Sequence, residues 1–397
     1  MKVLFITPYL PSETSGHAGA QLIFRNVTSL KKKHDVTIAS FLDKNEKEMI
    51  RSLTDIGINV HTIDYPRNES SIKGKIESGI RNMGPIASYL KGNEPFFFAK
   101  YNKKKMAELI KNLITQNSFD MVQVEYNVMH HYRNLFQEIP SIIVFHDVSA
   151  KMYERGQASG QKSNERSFKL AQKVEAEIAN KFDGVVTLTV EDKSYLQKLG
   201  CEKNIEVIPP QIKLATSGSS DKKTGSICFA GSFNREPNML AVEILMNQIY
   251  PQLNSDISLT IAGKGLPKSL QSKINQLDRI QYLGFVEDID AFLSSQLLMV
   301  APIEIGAGLK MKIPHALSCG TAVLTTDVGA EGIEIHPSDG MVVSSIESMA
   351  DKAKELMMDE INLSNLGAKG KKAVESLYSE SVIVSKLEAL YNSVTLA

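Results

Sequence analysis

Short apolar runs alternate with helical patterns along most of the chain, and this alternation limits the fold more than any other feature of the sequence. Apolar runs bounded by turn formers are typical of strands buried on both faces, and strands that alternate with helices indicate a parallel sheet covered by helices. The sequence therefore predicts an α/β fold of doubly wound parallel sheets. The predicted strands are Val3–Ile6, Val36–Phe41, Val60–Ile63, Met121–Val124, Ile142–Phe145, Val185–Leu188, Val207–Ile208, Ile227–Ala230, Leu259–Ala262, Ile280–Leu283, Leu297–Ala301, Val323–Thr326 and Met341–Val343.

The alternation stops near the middle of the chain. Pro209 and Pro210 precede a segment, 215–225, that is rich in Ser, Gly, Thr and Lys and has little apolar surface to bury, as linkers do. A chain of 397 residues also exceeds the roughly 250–300 residues at which a single core stops growing. We therefore predict two domains of similar size with a hinge near Ala215. The predicted parts are a first domain at 1–211, a linker at 212–225, a second domain at 226–380 and a final helical segment at 381–397, with long helical patterns from Ser345 to Lys372 and from Ser381 to Asn392.

Composition and charge exclude several classes of protein. The 45 basic and 45 acidic residues cancel, so the chain lacks the basic excess that nucleic-acid binding requires. Three scattered cysteines are too few for a disulfide framework and lack the spacing of a zinc site. The sequence shows neither a signal peptide nor an apolar stretch of about 18 or more residues. We expect a reduced, cytoplasmic enzyme with no nucleic-acid partner.

Residues 301–326 point most directly to a ligand. A buried strand leads into a turn with Gly306 and Gly308, and Lys310 and Lys312 follow before a short helix. Glycines let the backbone approach a ligand closely, and lysines beside a helix start supply fixed positive charge. Such a segment at the carboxyl end of a parallel strand suits a phosphorylated group. Lysines at a glycine turn are also common as solvated surface charge, so the pattern alone leaves both interpretations open.

Other loops of the predicted second domain carry weaker signals. Arg235 follows the first strand in the run Gly231-Ser-Phe-Asn-Arg-Glu-Pro-Asn238, where its guanidinium either binds a phosphate or stays in solvent. Gly263 begins the tight turn Gly263-Lys-Gly265, which lacks the spacing of a Walker loop. Phe285 lies at another strand end, and a plain turn explains it equally well.

The predicted first domain has candidate residues in its first loop and at two strand ends. Gly16 and Gly19 precede a helix, where they suit either a ligand phosphate or an ordinary turn, but not the Gly-x-Gly-x-x-Gly fingerprint of dinucleotide binding. Glu125 and His146 each follow a buried strand, where polar side chains of parallel sheets meet ligands. A carboxylate there could assist an acceptor hydroxyl. A structural hydrogen bond is the alternative role for the strand-end pair His146-Asp147.

These segments together resemble the retaining nucleotide-sugar glycosyltransferases of family four, also called glycosyl transferases group 1. Residues 301–326 match nearly throughout the family signature Pro-x-x-x-Gly-x-Gly-x-Lys/Arg-x-Lys-x-x-Glu-Ala-x-Ala-x-Gly-x-Pro-Val-Val. The opening Met1–Tyr9, the first glycine loop, Lys33–Thr37 and the 231–238 loop add to the resemblance. The resemblance implies two facing Rossmann-like domains (the GT-B fold), an active site in the interdomain cleft, and a last helix that returns to the first domain.

The resemblance also implies the reaction and the roles of individual residues. A sugar would pass from a nucleoside-diphosphate sugar, a UDP-sugar in the first instance, to a hydroxyl of a glycan, a lipid-linked or a small-molecule acceptor. Transfer would proceed with retention and without a metal or other cofactor, since Lys312 and Lys310 would neutralise the leaving diphosphate. Glu125 and His146 would complete the catalytic set with Lys312. The implied donor-binding residues are Gly16, Gly19, Arg235, Gly263, Phe285, Gly306, Gly308, Lys310, Lys312, His315 and Glu331.

Two departures from the family pattern bear on how the donor would be bound. His315 stands where a glutamate accepts hydrogen bonds from both ribose hydroxyls, and a neutral imidazole offers a single acceptor. Ser232 and Asn238 stand where many relatives carry the arginine and lysine that clamp the diphosphate. Ribose is then held otherwise, with Glu331 as a candidate, or the affinity for the donor is reduced. A sugar-nucleotide epimerase and a non-catalytic partner subunit of the same architecture are therefore the alternative functions.

Residues 91–115 raise the question of a membrane surface. Phe96-Phe97-Phe98 lies close to Lys103-Lys104-Lys105, and aromatic residues beside lysines are typical of segments that lie on a bilayer. A helix that buries its aromatics and solvates its lysines has the same pattern. The sequence therefore leaves two alternatives open: the protein contacts the inner face of a membrane peripherally, or it makes no membrane contact.

Overall fold

A computed structural model describes residues 1–67, 72–158, 165–215, 222–306 and 308–396. By their internal contacts the residues form two units. The first unit comprises Met1–Gln211 together with Ile383–Ala397, and the second comprises Ile212–Val382. Residues 216–221 of the predicted linker lie outside the described residues, so the hinge near Ala215 stays a prediction.

The first unit is built on a seven-stranded sheet in which every pair of neighbours is parallel. Its strands are Lys2–Thr7 (β1), Asp35–Leu42 (β2), Asn59–Asp64 (β3), Met121–Glu125 (β4), Ser141–Phe145 (β5), Gly184–Thr187 (β6) and Ile205–Val207 (β7). They lie in the order β3-β2-β1-β4-β5-β6-β7. Strands β4 and β5 are buried at every residue, as expected for a parallel sheet covered on both faces.

Helices cover both faces of this sheet with separate apolar cores. One core contains Met106, Ile110 and Leu113, which recur along one face of a helix. The other core contains Ile23 and Val27 of the first helix. The α-helices of this part of the chain are Ala18–Lys31 (α1), Arg51–Thr54 (α2), Ile72–Leu90 (α3), Phe96–Ala99 (α4), Lys104–Gln116 (α5), Ser149–Ala158 (α6), Glu165–Asn180 (α7) and Val190–Lys198 (α8), with 3-10 helices at Lys44–Ile50 and Asn127–Leu135.

The second unit is built on a six-stranded parallel sheet in the order β10-β9-β8-β11-β12-β13, whose strands are Ser226–Ala230 (β8), Ser258–Ala262 (β9), Ile280–Gly284 (β10), Leu298–Ala301 (β11), Ala322–Thr325 (β12) and Met341–Val343 (β13). Its helices are Glu236–Ile244 (α9), Lys268–Ile274 (α10), Ile289–Ser294 (α11), Lys312–Ser318 (α12), Asp327–Ala330 (α13), Ile346–Met357 (α14) and Glu360–Tyr378 (α15), with a π-helical turn at Leu245–Ile249 and 3-10 turns at Tyr250–Gln252 and Pro337–Asp339. The two sheets confirm the predicted α/β class.

The long helical pattern predicted from Ser345 to Lys372 corresponds to two separate helices, α14 and α15. Asp359 stands between them in a non-helical conformation, and its side chain accepts a hydrogen bond from the backbone amide of Asn362 at 2.9 Å. A residue that caps a helix start has a non-helical backbone conformation, so one helix ends and the next begins here.

The last helix, Glu380–Thr395 (α16), packs on the first unit. Ile383, Leu387 and Tyr391 belong to the same apolar core as α1. Glu388 adds ion pairs with Lys33 and His34, each at 3.1 Å. The first unit is therefore assembled from two stretches of chain that are far apart in sequence.

The aromatic and lysine residues around α4 are divided between the interior and the solvent. Phe98 is buried, Phe97 is 41% exposed, and Lys104 and Lys105 are exposed. In the described residues, no helix combines the length and the apolar character that a bilayer crossing requires.

Candidate functional site

Glu125 and His146 lie side by side at the carboxyl ends of two neighbouring strands. Glu125 is the last residue of β4, is 1% exposed, and places Oε2 at 2.7 Å from Nε2 of His146, which follows β5. Gln123 donates a hydrogen bond from Nε2 to the other carboxylate oxygen of Glu125 at 2.6 Å. Because β4 and β5 are adjacent in the sheet, their register brings the two predicted residues into contact. Both oxygens of the Glu125 carboxylate have a partner.

The last helix supports this pair from within the same unit. The hydroxyl of Tyr391 donates a hydrogen bond to Oε1 of Gln123, and Gln123 in turn holds Glu125. Burial, with the Glu125 carboxylate as a further cause, raises the pKa of Tyr391 well above its ordinary value. The tyrosine therefore stays protonated and remains a hydrogen-bond donor.

Aromatic rings form one wall of the cluster. Tyr126 has a φ of 70°, a left-handed conformation that costs about 1–3 kcal/mol in a residue other than glycine. Its ring stacks on His146 with centroids 3.8 Å apart. Tyr9 stacks on His17, also at 3.8 Å, and meets Tyr126 edge to face. The strained backbone at Tyr126 thus directs a tyrosine ring against the predicted catalytic imidazole.

The two glycines of the first loop differ in their surroundings. A Cβ on Gly19 would lie 1.7 Å from the hydroxyl of Tyr126 and 3.2 Å from Nδ1 of His146, so this position requires glycine for packing reasons. Around Gly16, no atom of the described residues lies within 4 Å of an added Cβ. The predicted role of both glycines in donor binding stays a prediction, and Gly16 is the one with open space beside it.

In the second unit, the loops after β8 and β9 touch through glycines. Gly263 has a φ of 136°, and a Cβ there would lie 1.8 Å from the carbonyl oxygen of Gly231. The amide of Gly231 donates to Ala262 at 3.0 Å, and that of Gly263 donates to Gly284 at 2.7 Å. A side chain at Gly263 would push the two loops apart, so this glycine shapes the surroundings of Lys312.

Lys312 is the first residue of α12, and its ammonium group lies beside the β8 loop. It donates to Oδ1 of Asn238, lies 5.0 Å from the ring centroid of Phe229, and would be 3.4 Å from a Cβ on Gly231. Burial, followed by the charges of Arg235 and Lys310, lowers the pKa of Lys312 to about 7. Within the described ranges, no carboxylate lies within salt-bridge distance of its ammonium group.

Lys310 differs from Lys312 in its partners. Its ammonium group lies 3.3 Å from a carboxylate oxygen of Glu331 and donates to the carbonyl of Gly306 at 3.2 Å. Gly306 and Gly308 have φ values of 126° and 70°, so the turn between β11 and α12 depends on glycine at both positions. The structure therefore brings Glu331 to Lys310, in the loop that precedes Lys312.

His315 is held by an aspartate that the sequence analysis did not single out. Nε2 of His315 lies 2.7 Å from Oδ1 of Asp290 at the start of α11. Asp290 belongs to Asp288-Ile289-Asp290, an Asp-x-Asp sequence that the expectation of metal-free transfer did not take into account. Asp288 caps α11, and candidate ligand atoms of Asp290, His315 and Cys319 lie within 4.8 Å of one another. These three residues could hold a metal ion.

Arg235 and Phe285 are two exposed side chains of the predicted donor site. Arg235 precedes α9 and lies near enough to Lys312 to lower its pKa. The ring of Phe285 is 68% exposed, and the ammonium group of Lys264 lies 5.8 Å from its centroid. A solvent-exposed aromatic ring beside a cation is a suitable surface for a planar base.

The structure adds residues to both clusters that sequence reasoning missed. Tyr9, His17 and Tyr126 border the Glu125–His146 pair. In the second unit, Asn238 orients Lys312 and Asp290 orients His315. The available signal was their position in loops at strand ends, but which of these side chains meet depends on strand order.

Comparisons with known proteins support the class of function that the sequence resemblance implied. Residues 224–359 match the model of the family described as glycosyl transferases group 1. An uncharacterized 44.6 kDa protein in the cps region of Klebsiella pneumoniae is 21% identical over 293 residues, which span 70% of this chain and 69% of that protein. Sucrose-phosphate synthase from Thermosynechococcus elongatus is similar in structure, with a TM-score of 0.70 at 15% identity and 99% of each chain covered. HepE from Anabaena, solved in complex with UDP, has a TM-score of 0.68 at 13% identity, with 99% of this chain and 100% of that one covered.

The structural likeness shows the fold, two Rossmann-like domains of the GT-B class, and so confirms the fold predicted from the sequence. The family match covers most of the second unit, where Arg235, Lys310, Lys312 and His315 lie. The match and the fold together support a glycosyltransferase.

Proposed function

We propose that the protein transfers a sugar from a nucleoside-diphosphate sugar to an acceptor hydroxyl, with retention at the anomeric carbon. The observation that carries the proposal is Lys312. It is a partly buried lysine next to two other cations, Arg235 and Lys310, and no carboxylate among the described residues pairs with it. Burying a cation without a counter-charge is costly. A bound diphosphate would supply that charge.

In this proposal, three cations and a glycine turn bind the diphosphate. Lys312 and Arg235 contact its oxygens, and Lys310, fixed by Glu331, adds positive charge from the side of the glycine turn. The negative charge on the diphosphate grows as the bond to the sugar breaks, so these cations stabilise the transition state more than the bound donor. The departing diphosphate takes the proton of the acceptor hydroxyl, and no carboxylate nucleophile is required.

His315 holds the ribose in place of the usual glutamate. Asp290 accepts a hydrogen bond from Nε2 of His315, which leaves Nδ1 as the acceptor when the ring is neutral. We place this role on His315 rather than on Glu331, because Glu331 is already paired with Lys310. Phe285 supports the base, and uracil is the base we propose. HepE has been solved with UDP and with UDP-glucose.

Glu125 and His146 act on the sugar or on the acceptor hydroxyl. Glu125 accepts a hydrogen bond from Nε2 of His146, so that Nδ1, which faces Gly19, is the atom available to a substrate hydroxyl. Tyr126 keeps the imidazole in this orientation by stacking on it. The acceptor is a glycan, a lipid-linked sugar or a small molecule.

The first test is a thermal-shift panel of UDP, GDP, ADP, TDP and CMP on the wild type and on Lys312→Ala. A nucleotide at about 100 times its dissociation constant stabilises the fold by about 2.7 kcal/mol, which raises the melting temperature measurably. We expect UDP to stabilise the wild type and not the variant. Absence of a shift with every nucleotide would overturn the proposal and favour a non-catalytic partner subunit.

Product analysis then separates transfer from other reactions of the same donor. UDP-sugars are incubated with and without sugar acceptors, and with either EDTA or a divalent cation. We expect a new glycosidic product only when an acceptor is present, at a rate that EDTA does not change. Conversion of the donor alone would indicate an epimerase. A rate that depends on the added cation would contradict transfer without a metal.

A further inference from the structure

A second cluster of ionisable side chains lies in the first unit, apart from Glu125 and His146. Glu94 follows α3, and His130 and His131 lie in the 3-10 helix Asn127–Leu135. Nε2 of His130 is 3.3 Å from Oε2 of Glu94, and Nε2 of His131 is 3.4 Å from the same oxygen. The three side chains are largely buried, with between 8% and 14% of each exposed.

We propose that Glu94, His130 and His131 form a binding site for a divalent transition-metal ion of the zinc type. Two imidazoles and a carboxylate are ligands that zinc accepts, and the fourth position is left to water or to a backbone carbonyl. The ligand atoms belong to two separate segments of the chain. A metal ion would therefore fasten the turn after α3 to the 3-10 helix that begins next to Tyr126.

The distances between the ligand atoms match a tetrahedral site better than they match hydrogen bonds. Ligand atoms at 2.0–2.1 Å from a tetrahedral zinc ion lie about 3.3–3.4 Å apart. The two imidazole nitrogens lie 3.3 and 3.4 Å from Oε2 of Glu94. Hydrogen bonds from a neutral N–H group to an oxygen are shorter, most often about 2.9–3.0 Å.

His131 has too few N–H groups for the two oxygen atoms that lie near its Nε2. Nε2 of His131 lies 3.1 Å from the carbonyl oxygen of Phe98 and 3.4 Å from Oε2 of Glu94. A neutral imidazole has one N–H group, so one nitrogen cannot donate well to both oxygens. A cation attracts the carboxylate and the carbonyl oxygen at the same time. The carbonyl of Phe98 is thus a candidate for the fourth ligand.

A further side chain holds the carboxylate of Glu94 in place. The hydroxyl of Ser88 lies 3.4 Å from Oε1 of Glu94 and orients the carboxylate from behind.

The test uses protein without an affinity tag, stripped of metal with a chelator and then titrated with Zn²⁺ and Co²⁺. We expect one ion per chain, a rise in melting temperature with Zn²⁺, and the visible absorption bands of tetrahedral Co²⁺. The second cluster, Asp290, His315 and Cys319, would add a thiolate-to-cobalt band in the near ultraviolet. The absorption spectrum therefore identifies which cluster binds the ion. Failure of the stripped wild type to take up either metal would overturn the proposal.

Substitutions assign the ligands. His130→Gln and His131→Gln keep a neutral, hydrogen-bonding side chain but remove an imidazole nitrogen, and each should weaken Zn²⁺ binding at least tenfold. The matched controls are His336→Gln, at an exposed histidine, and Cys319→Ser, and both should bind as the wild type does. Unchanged binding in His130→Gln, or lost binding in Cys319→Ser, would exclude the site. If a histidine variant does not fold, the Co²⁺ spectra of the wild type and Cys319→Ser decide.

Discussion

Glu125 in the first unit is a buried ionisable side chain and Lys312 in the second is a partly buried one, but their surroundings differ more than their exposure does. Glu125 has His146 at 2.7 Å and Gln123 at 2.6 Å, and Gln123 is held in turn by Tyr391. Lys312 has a neutral partner, Asn238, and its charged neighbours named above are cations. One cluster is complete within the chain, whereas the other lacks a counter-charge.

This difference separates a cluster that holds its own geometry from one that is built for a ligand. A fully hydrogen-bonded polar network keeps side chains in fixed orientations, which is what a group that contacts a substrate hydroxyl needs. A lysine that has cations but no carboxylate beside its ammonium group raises the free energy of the unliganded protein, and a bound anion relieves this cost.

Lys312→Met should reduce sugar transfer about 10²–10³-fold, the range observed when a single transition-state stabilising group is removed. The melting temperature should stay close to that of the wild type, because methionine fills the space and removes a buried charge. Steady-state kinetics and thermal unfolding measure the two effects. Lys273→Met, at an exposed lysine of the second unit, is the control and should leave both unchanged. Normal turnover of Lys312→Met would remove the basis of the proposed function.

Glu125→Ala, unlike Lys312→Met, should reduce the stability of the first unit. It leaves the side-chain nitrogens of Gln123 and His146 without their acceptor, and each unsatisfied buried group costs about 1–3 kcal/mol. Urea unfolding measures the loss of free energy, with the exposed Glu138→Ala as control. A fully stable Glu125→Ala variant would mean that the network does not fix the imidazole.

The affinity for UDP should fall as the pH rises above about 7. Burial holds the pKa of Lys312 at about 7 in the free protein, and a bound diphosphate raises this pKa because it favours the charged lysine. The full interaction is therefore present below pH 7 and weakens by up to about tenfold per pH unit above it. Calorimetric titration between pH 6.5 and about 8.5 measures the slope. Lys312→Arg, which stays charged, should bind with little pH dependence, and an equal slope in both proteins would assign the titration to another group.

His315→Glu alone should weaken UDP binding several-fold, although it restores the residue usual in the family. Asp290 lies 2.7 Å from Nε2 of His315, so a glutamate there would face a second carboxylate. Combining His315→Glu with Asp290→Asn removes the repulsion and should raise the affinity to at least that of the wild type. Thermal shifts with UDP measure both variants. An improvement from His315→Glu alone would show that Asp290 does not orient the ring in the bound state.

The fold was predictable to the level of individual strands, because parallel strands that are buried on both faces appear in the sequence as continuous apolar runs. The predicted run Val3–Ile6 lies within β1, and the predicted run Ile142–Phe145 lies within β5. The break between α14 and α15 was missed, since Met357 and Leu363 both face the core and the apolar pattern continues across it. Asp359 sets the boundary between α14 and α15 by capping α15, and the spacing of apolar residues gives no sign of a cap.

The candidate site was predictable residue by residue but not contact by contact. Lys312 stands out in the sequence because glycines, lysines and two buried strands occur together. The contact between Glu125 and His146 depends on β4 lying next to β5, and strand order cannot be predicted from the local sequence. The left-handed conformation of Tyr126 and the contact of Asp290 with His315 likewise arise from tertiary structure.

The return of α16 to the first unit reverses the order in which the two units can be completed during synthesis. Tyr391 fills the core beneath β4 and holds Gln123, so the first unit lacks part of its interior until about 180 residues after Gln211 have been made. At about 5–20 residues per second, that interval lasts roughly 10–35 seconds. The second unit is one continuous stretch, Ile212–Val382, and is complete before Tyr391 leaves the ribosome. The part of the chain translated first is therefore the last to close its core.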